Sequence, residues 1–402
     1  MTCGMAQYNY AIDPSFATKA IHTGAKPEQW TNNEIVPPIV LSTTFKQVGP
    51  GQDKGYDYGR SNNPSREMLE KCLAALEGGF FCSCFSSGLG ATSSIVNALL
   101  NAGDHVICIK VCTVETSGTL AKLRRGPVLK FPLSTLSFPI GNQFLFHPQL
   151  LWLENPTNPM MDVVDVPAIS KVVKDWNEKI IIVVDNTFQT SFFQRPLELG
   201  ADISVHSLTK YLNGHSDVVM GATITNNKTI NSRIQFVQNA CGAVPSPFDC
   251  SLVTRSLKTL QVRMREHMKN GLAVGQFLET HPMVIKVLHP GLPSHPDHAL
   301  ALRQWSGCSG MLHRKKSFVE FTWVFFSSLK LFSLAISLGG YESLVDLPAR
   351  MTHAAMPLDE QLAVGITDTL IRLSVGLENV NDLIEDLKQA LNEAAVTLEN
   401  KK

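Results

Sequence analysis

A lysine that follows two hydroxyl side chains is the clearest chemical feature of the sequence. Ser207, Thr209 and Lys210 come directly after the apolar run 203–205, which is predicted to be a strand. Two hydroxyl groups at this spacing can grip a phosphate, and a partly desolvated lysine amine forms a Schiff base with an aldehyde. Pyridoxal 5'-phosphate needs both, together with a carboxylate that keeps its pyridine nitrogen protonated. The motif therefore indicates a site for this cofactor.

Asp185 is the candidate for that carboxylate. It ends the continuous apolar run 180–184, which is predicted to be a strand buried on both faces, and the carboxyl ends of parallel strands open onto the ligand crevice of a sheet. The alternative is that Asp185 caps the segment after it. A glycine-rich turn, 85–91, lies at another strand-to-helix junction, where backbone amides can hold a phosphate. Alone, this turn is equally compatible with a tight structural turn.

Arg372 is a candidate for binding the substrate. It lies in the segment 368–377, whose alternation of apolar and polar residues predicts a strand. An arginine binds a carboxylate through two parallel hydrogen bonds, as an amino-acid substrate requires. The alternative is an exposed arginine on an edge strand.

The rest of the pattern predicts the elements that position these residues. From residue 62 onward, apolar runs alternate with stretches of helical spacing, which is typical of a parallel α/β sheet. The predicted strands are 80–85, 106–109, 180–184 and 203–205, and the predicted helices are 68–76, 89–100, 256–278 and 380–394. We predict an extended N-terminal arm over 1–60, a cofactor-binding α/β domain over 61–253 and a C-terminal α/β domain over 254–402.

Composition excludes several functions. The 402 residues contain 35 Lys and Arg against 35 Asp and Glu, and this zero net charge argues against general binding of nucleic acid or anionic membranes. Charged residues make up 17% and hydrophobic residues 44%, which excludes disorder. The 9 cysteines lack zinc-type spacing and favour a reduced, cytoplasmic protein without a structural metal. The apolar stretches 131–153 and 318–338 contain prolines or charges, so no membrane span is predicted.

Several stretches resemble the pyridoxal-phosphate enzymes of cysteine and methionine metabolism. They cover 36–45, 58–64, 154–159, 183–188 and 206–217, and shorter matches at 245–249, 290–295 and 337–340 extend the resemblance toward the C-terminus. The resemblance implies the aspartate-aminotransferase-like α/β fold, fold type I of the pyridoxal-phosphate-dependent transferases. This fold has a domain with a mostly parallel sheet and a smaller α/β C-terminal domain.

The resemblance also implies a role for each matching residue. Lys210, Asp185 and Tyr58 would be catalytic, with Lys210 linked to the cofactor and Asp185 paired with its pyridine nitrogen. The cofactor would be held by Arg60, Gly88, Leu89, Glu154, Ser207 and Thr209, and the substrate carboxylate by Arg60, Asn158, Ser337 and Arg372. Tyr58 and Arg60 would reach the cofactor phosphate of a neighbouring subunit, in a homotetramer with shared active sites.

The activity implied by the resemblance is γ-elimination, which converts L-cystathionine to L-cysteine, 2-oxobutanoate and ammonia, with hydrogen sulfide from side reactions on cysteine. Ile336 stands where the cystathionine-cleaving branch has a glutamate just before Ser337. An aliphatic side chain there favours a substrate without the distal ammonium group, so a methionine-cleaving lyase is the nearest alternative. A nicotinamide-dependent oxidoreductase would use the turn 85–91 for a dinucleotide, but it leaves Lys210 unexplained.

Two segments, 109–150 and 311–328, depart from the family pattern, and the pattern is lost and regained abruptly. Thr113 stands about where the family has a tyrosine that stacks on the cofactor ring, so we predict that an aromatic contact is missing and turnover is impaired. Shifted exon boundaries are one interpretation of these segments. A catalytically inactive family member that acts as a subunit or scaffold is another.

Overall fold

The computed structural model describes residues 8–109, 128–131, 148–315 and 319–399. The strands are β1 Phe81–Phe85, β2 His105–Ile109, β3 Val128–Phe131, β4 Pro148–Glu154, β5 Ile181–Asp185, β6 Ile203–Ser207, β7 Gly221–Thr225, β8 Lys286–Leu288, β9 Met311–Lys315, β10 Ser333–Leu334, β11 Leu344–Asp346 and β12 Leu370–Ser374. The helices are α1 Phe16–His22, α2 Pro64–Glu77, α3 Gly88–Leu99, α4 Val166–Trp176, α5 Thr190–Phe193, α6 Lys228–Cys241, α7 Pro247–Leu257, α8 Leu260–Thr280, α9 His298–Gln304, α10 Val319–Ser328, α11 Leu358–Ala363 and α12 Val380–Glu399. Of these helices, none is long and apolar enough to cross a membrane.

The larger sheet has seven strands in the order β1-β7-β6-β5-β4-β2-β3. The strands β6, β5, β4, β2 and β3 pair in parallel, and β7 is antiparallel to both of its neighbours. A parallel sheet is normally covered on both faces, and alternate residues of β4 pack against the layers on its two sides. Trp152 packs in one cluster with α3 and α6, whereas Leu151 and Leu153 pack on the other face against α4. This architecture confirms the predicted α/β fold with a mostly parallel sheet.

A second sheet lies in the C-terminal part, in the order β10-β11-β12-β9-β8. Its strands pair antiparallel except for β10 and β11. One face is covered by α8, α10 and α12, whose side chains bury Leu312, Val345 and Leu373 in a single cluster. The strand β12, which carries Arg372, lies between β11 and β9 rather than at an edge.

Two expectations from the sequence were wrong in detail. The predicted helix 256–278 is two helices, α7 and α8, because the chain turns at Lys258 and Thr259, where Arg263 Nη2 donates to the Ser256 carbonyl at 2.9 Å. The N-terminal arm is not extended throughout, since it contains the short helix α1, whose Phe16 is fully buried against Phe192. The domain boundaries stay predictions.

The segment 311–328, which departs from the family pattern, is part of the C-terminal fold. It forms β9, which pairs with β12 and β8, and α10, which packs against α12. Phe325 on α10 is fully buried in the cluster beneath the sheet, whereas Trp323 two residues earlier is 64% exposed. One face of the apolar helix α10 is thus buried in the core of the C-terminal part.

We expect Phe325→Ala to destabilise the protein by about 3–5 kcal/mol, because truncating a buried aromatic side chain leaves a cavity. Trp323→Ala on the same helix is the matched control, and we expect a change within about 0.5 kcal/mol, since its side chain is largely in solvent. Urea unfolding followed by circular dichroism measures both. Equal unfolding midpoints for the two variants would contradict the packing described for α10.

Candidate active site

A cavity of about 350 Å³ lies where the carboxyl ends of β4, β5 and β6 face the C-terminal sheet. All the site residues predicted from the sequence line it except Tyr58 and Arg60. These lining residues are Gly88, Leu89, Glu154, Asn158, Asp185, Ser207, Thr209, Lys210, Ser337 and Arg372. The three chemical features predicted separately, a lysine, a carboxylate and a glycine-rich turn, therefore converge on one space.

Lys210 lies in the turn after β6, where its amide donates to the Ser207 carbonyl at 3.3 Å. Its Nζ donates to Ser337 Oγ at 3.0 Å, which joins the large sheet to the C-terminal part of the chain. Ser337 has a φ of 144°, in the region that non-glycine residues rarely adopt. Strained backbone of this kind concentrates at functional sites, and here it holds the residue that contacts Lys210.

The turn before α3 forms one end of the cavity. Ser87 caps the helix by accepting a hydrogen bond from Gly90 N at 2.9 Å, so the first amides of α3 face the cavity. A Cβ atom at position 88 would lie 3.2 Å from Ser207 Cβ, and one at position 221 would lie 2.3 Å from the Ser87 carbonyl oxygen. Glycine at both positions therefore lets β6, β7 and this turn approach closely. Helix amides beside the hydroxyl groups of Ser207 and Thr209 suit a phosphate monoester.

Asp185 ends β5 and lines the same cavity. Its Oδ1 accepts a hydrogen bond from the Thr187 amide at 3.0 Å, and Thr187 Oγ1 accepts one from the Ser207 amide at 2.9 Å. Burial raises the pKa of Asp185, whereas its hydrogen bonds with Thr187 act in the opposite direction. A carboxylate in this position is stabilised by a cationic partner, which a protonated pyridine nitrogen supplies.

Arg372 is buried, with a side chain that is 3% exposed, so the alternative of an exposed edge arginine is wrong. Its Nη2 lies 3.1 Å from Asp346 Oδ2 and 3.0 Å from the Ser337 carbonyl oxygen. Its Nη1 lies 3.4 Å from Asn158 Oδ1. The backbone amide of Asn158 in turn donates to Glu154 Oε2 at 3.4 Å. The guanidinium is thereby fixed at the cavity wall, where it can meet a substrate carboxylate.

Tyr58 and Arg60 are not brought to the cavity of their own chain. Tyr58 is 47% exposed, and the guanidinium of Arg60 lies 5.6 Å from its ring centroid. Arg60 Nε donates to Asn239 Oδ1 at 3.1 Å. Thr113, the position of the missing tyrosine, lies outside the residues that the structure describes.

Sequence reasoning missed three residues of the site. Thr187 links Asp185 to Ser207, and its position two residues after Asp185 was the available signal. Asp346 and His353 gave none, because neither follows a predicted strand or belongs to a motif that the sequence analysis singled out. Thr352 Oγ1 donates to Asp346 Oδ2 at 2.9 Å and lies 3.1 Å from His353 Nδ1. Burial, with Arg372 nearby, lowers the pKa of His353 to about 4, so this cavity residue is neutral near pH 7.

Comparison with known proteins identifies the family. The model of the Cys/Met metabolism PLP-dependent enzymes matches residues 17–392. The chain belongs to this family. Its cofactor is therefore pyridoxal 5'-phosphate, and the turn before α3, the hydroxyls of Ser207 and Thr209, the amine of Lys210 and the carboxylate of Asp185 fit that molecule.

Individual relatives are similar over nearly the whole chain. Cystathionine gamma-lyase of Bos taurus is 52% identical over 382 residues, which cover 94% of both proteins. The crystal structure of cystathionine gamma-lyase from yeast has a TM-score of 0.88 and 40% identity, and it covers 96% of this chain and 100% of its own. Cystathionine gamma synthase from Xanthomonas oryzae pv. oryzae has a TM-score of 0.90 and 38% identity, with the same coverage. These solved structures confirm the predicted fold type.

We expect Asp185→Asn to stabilise the cofactor-free protein at pH 8 and to do so less at pH 5. Burial raises the pKa of Asp185, so folding favours the protonated carboxyl, and wild-type stability falls as the pH rises through that folded-state pKa. Asparagine removes the charge but keeps the acceptor for the Thr187 amide. Thermal unfolding of both proteins at the two pH values measures the difference.

The control for this experiment is Asp175→Asn, whose carboxyl is 66% exposed on α4. We expect it to change the unfolding temperature little at either pH. A larger loss of stability in Asp185→Asn at pH 8 than at pH 5 would contradict the assignment.

Proposed function

We propose that the protein is a pyridoxal-phosphate-dependent carbon–sulfur lyase that converts L-cystathionine and water to L-cysteine, 2-oxobutanoate and ammonia by γ-elimination. The observation that carries this proposal is the shared cavity of the Lys210 amine, the Asp185 carboxylate and the Arg372 guanidinium. The similarity to cystathionine gamma-lyases over 94% of the chain supports the substrate.

The bound cofactor supplies an electron sink that stabilises negative charge developing on the substrate carbons. Asp185 holds a proton at the pyridine nitrogen and thereby maintains that capacity. Lys210 Nζ would hold the cofactor covalently in the absence of substrate, and as a free amine it would remove the proton from the substrate Cα. Its contact with Ser337 Oγ keeps Nζ at the cavity wall between these roles.

Arg372 orients the substrate through its carboxylate. Asp346 offsets the guanidinium charge on one side, and Asn158 Oδ1 and the Ser337 carbonyl fix the plane of the group. A carboxylate bound in this plane places the amino group and Cα toward Lys210. Positioning of this kind lowers the entropic cost of the proton transfer.

We propose that the active assembly is a homotetramer with shared active sites, in which Tyr58 and Arg60 reach the cofactor phosphate of a neighbouring subunit. Both side chains are exposed and neither lines the cavity of its own chain, which supports this arrangement. We also propose that the protein acts in the cytoplasm and that cysteine serves as a side substrate for release of hydrogen sulfide. The 7 cysteines of the described residues are free thiols, as expected in a reducing compartment.

A methionine-cleaving lyase is the second candidate. Ile336 lines the cavity and is 64% exposed, so an aliphatic side chain stands near the opening through which the distal part of a substrate would extend. This position gives no charge to pair with the distal ammonium group of cystathionine. The breadth of the similarity to cystathionine gamma-lyases favours the first candidate.

We expect borohydride reduction of the cofactor-loaded protein to place a pyridoxyl group on the peptide that contains Lys210. Lys210→Ala should abolish this label and reduce release of 2-oxobutanoate from cystathionine by about 10³-fold or more, because the general base is lost. Lys171→Ala, at a side chain 75% exposed on α4, should retain both. Peptide mass mapping and a 2-oxo acid assay give the two readouts. A label on another lysine would contradict the proposal, whereas a label on Lys210 without turnover would indicate an inactive family member.

We expect Ile336→Glu to shift the preference from methionine toward cystathionine by about 1.4- to 5-fold in the ratio of kcat/KM values. A carboxylate there can pair with the distal ammonium group, and a largely exposed ion pair contributes about 0.2–1 kcal/mol. Steady-state turnover of both substrates measures the ratio. Ile336→Gln, which is uncharged, is the control, and an equal shift in that variant would rule out the electrostatic explanation.

A further inference from the structure

The strand that leads into the phosphate-binding turn is held by side chains where a neighbouring strand is lacking. Among the described strands, β1 lies at the edge of the sheet, with β7 as its partner. Every second residue of such an edge turns its amide and carbonyl away from the sheet. At Cys84 these two groups are bound by Glu70, which accepts from the amide at 2.8 Å, and by Gln238, which donates to the carbonyl at 2.6 Å.

This contact lies close to the site in sequence and in space. Cys84 precedes Gly88 by four residues. Between them, Phe85 is paired with Gly221 of β7, and Ser86 N donates to the Ala243 carbonyl at 3.1 Å. The position of the turn therefore depends on α2, through Glu70, and on α6, through Gln238. A shift of Cys84 would be passed to the amides that face the cavity.

The helix α2 also holds the segment that carries Tyr58 and Arg60. Arg66 lies one turn before Glu70, with a side chain 3% exposed and its Nε 3.7 Å from Glu70 Oε1. Its two terminal nitrogens donate to the carbonyls of three successive residues at 2.9–3.2 Å. These residues are Gly59, Arg60 and Ser61.

We propose that Arg66 and Glu70 are positioning residues through which α2 fixes two parts of the cofactor's phosphate site. Glu70 places the turn before α3 in its own subunit. Arg66 places the Tyr58–Arg60 segment, which serves a neighbouring subunit. The inference rests on the proposed shared active site and assigns to α2 the alignment of its two halves.

Burying the Arg66–Glu70 ion pair costs free energy, which argues against a role in packing alone. An apolar pair of similar volume is often as stable as a buried ion pair or more so. Burial also raises the pKa of Glu70 to about 7, although Arg66 opposes the rise, so the carboxyl is only partly ionised at neutral pH. The groups that both side chains satisfy are backbone amides and carbonyls, which no apolar side chain can bind.

The first test measures cofactor affinity rather than turnover. We expect Glu70→Ala to raise the dissociation constant for pyridoxal 5'-phosphate about tenfold, because a buried amide loses its partner and the turn is released. Glu70→Gln keeps an acceptor for the Cys84 amide and should stay within about twofold of wild type. Gln238→Ala should weaken binding in the same direction as Glu70→Ala. Equilibrium dialysis and the cofactor absorbance band give the values.

Leu69→Ala is the matched control, since Leu69 is fully buried on the same helix and its apolar side chain cannot hydrogen-bond to the backbone of Cys84 or of residues 59–61. It should lower the unfolding temperature but leave the dissociation constant within about twofold. Equal weakening by Leu69→Ala and Glu70→Ala would overturn the proposal, because affinity would then follow general stability. Equal weakening by Glu70→Gln and Glu70→Ala would overturn the role of the Cys84 contact.

The second test separates the two residues by subunit. Arg66→Met or Glu70→Ala chains are co-expressed with Lys210→Ala chains under different affinity tags, and mixed oligomers are reduced with borohydride at limiting cofactor. Only the chain that retains Lys210 can be labelled there. We expect mixing to restore labelling of Arg66→Met, because the Lys210→Ala chain donates an intact Tyr58–Arg60 segment. Glu70→Ala should not recover, since its defect lies in its own cavity.

Recovery of Glu70→Ala on mixing, or no recovery of Arg66→Met, would overturn the assignment of the two halves. Failure of the proposed function is distinguishable, because the wild-type protein would then show no labelling of Lys210 at saturating cofactor. If both single variants bind the cofactor as wild type does, the positioning role is excluded while the proposed function stands.

Discussion

The buried guanidinium of Arg372 is the constraint on which the arrangement of the two sheets depends. A buried charge costs several kcal/mol unless it is paired and hydrogen-bonded. Its partners come from three separate parts of the chain: Asp346 on β11, Ser337 in the segment before β11, and Asn158 after β4. Of these partners, Asn158 is the one that joins the guanidinium to the large sheet, just beyond the carboxyl end of β4. The cavity is the space that this arrangement encloses.

The large sheet supplies the other wall of the cavity, and the residues that line it there are determined by where its strands end. Parallel strands end at the same edge, so Glu154, Asp185 and Ser207 reach the cavity from β4, β5 and β6 without any long-range specification. The order of the strands then sets their spacing, and the close approach at Gly221 brings the turn before α3 alongside. Lys210 joins the two halves through Ser337. The residues proposed to be catalytic thus come from the ends of strands in the large sheet, and Arg372, proposed to bind the substrate, comes from the second sheet.

This division explains what the sequence could predict. Lys210 and Asp185 could be predicted because Asp185 ends a buried strand and Lys210 lies three residues after another, and strand ends can be located from local sequence. The burial of Arg372 was not predicted. Alternation of apolar and polar residues indicates a strand with one exposed face, whereas β12 lies between two other strands and is buried on both faces. The contact of Asp346 with Arg372 depends on the pairing of β11 with β12, and His353 lies in a turn between these two strands. The break between α7 and α8 depends on Arg263, whose guanidinium binds carbonyls at that point.

The segment 311–328, which departs from the family pattern in sequence, contributes to the surroundings of Arg372. Its strand β9 places His313 directly across from Arg372, with Asp346 on the other side. His313 is fully buried, and burial, with Arg372 nearby, holds its pKa well below the usual range. A charged imidazole would place a second cation beside the guanidinium, whereas the neutral ring leaves Asp346 as the compensating charge. A neutral His313 beside Arg372 is therefore compatible with the proposed binding of a substrate carboxylate by this guanidinium.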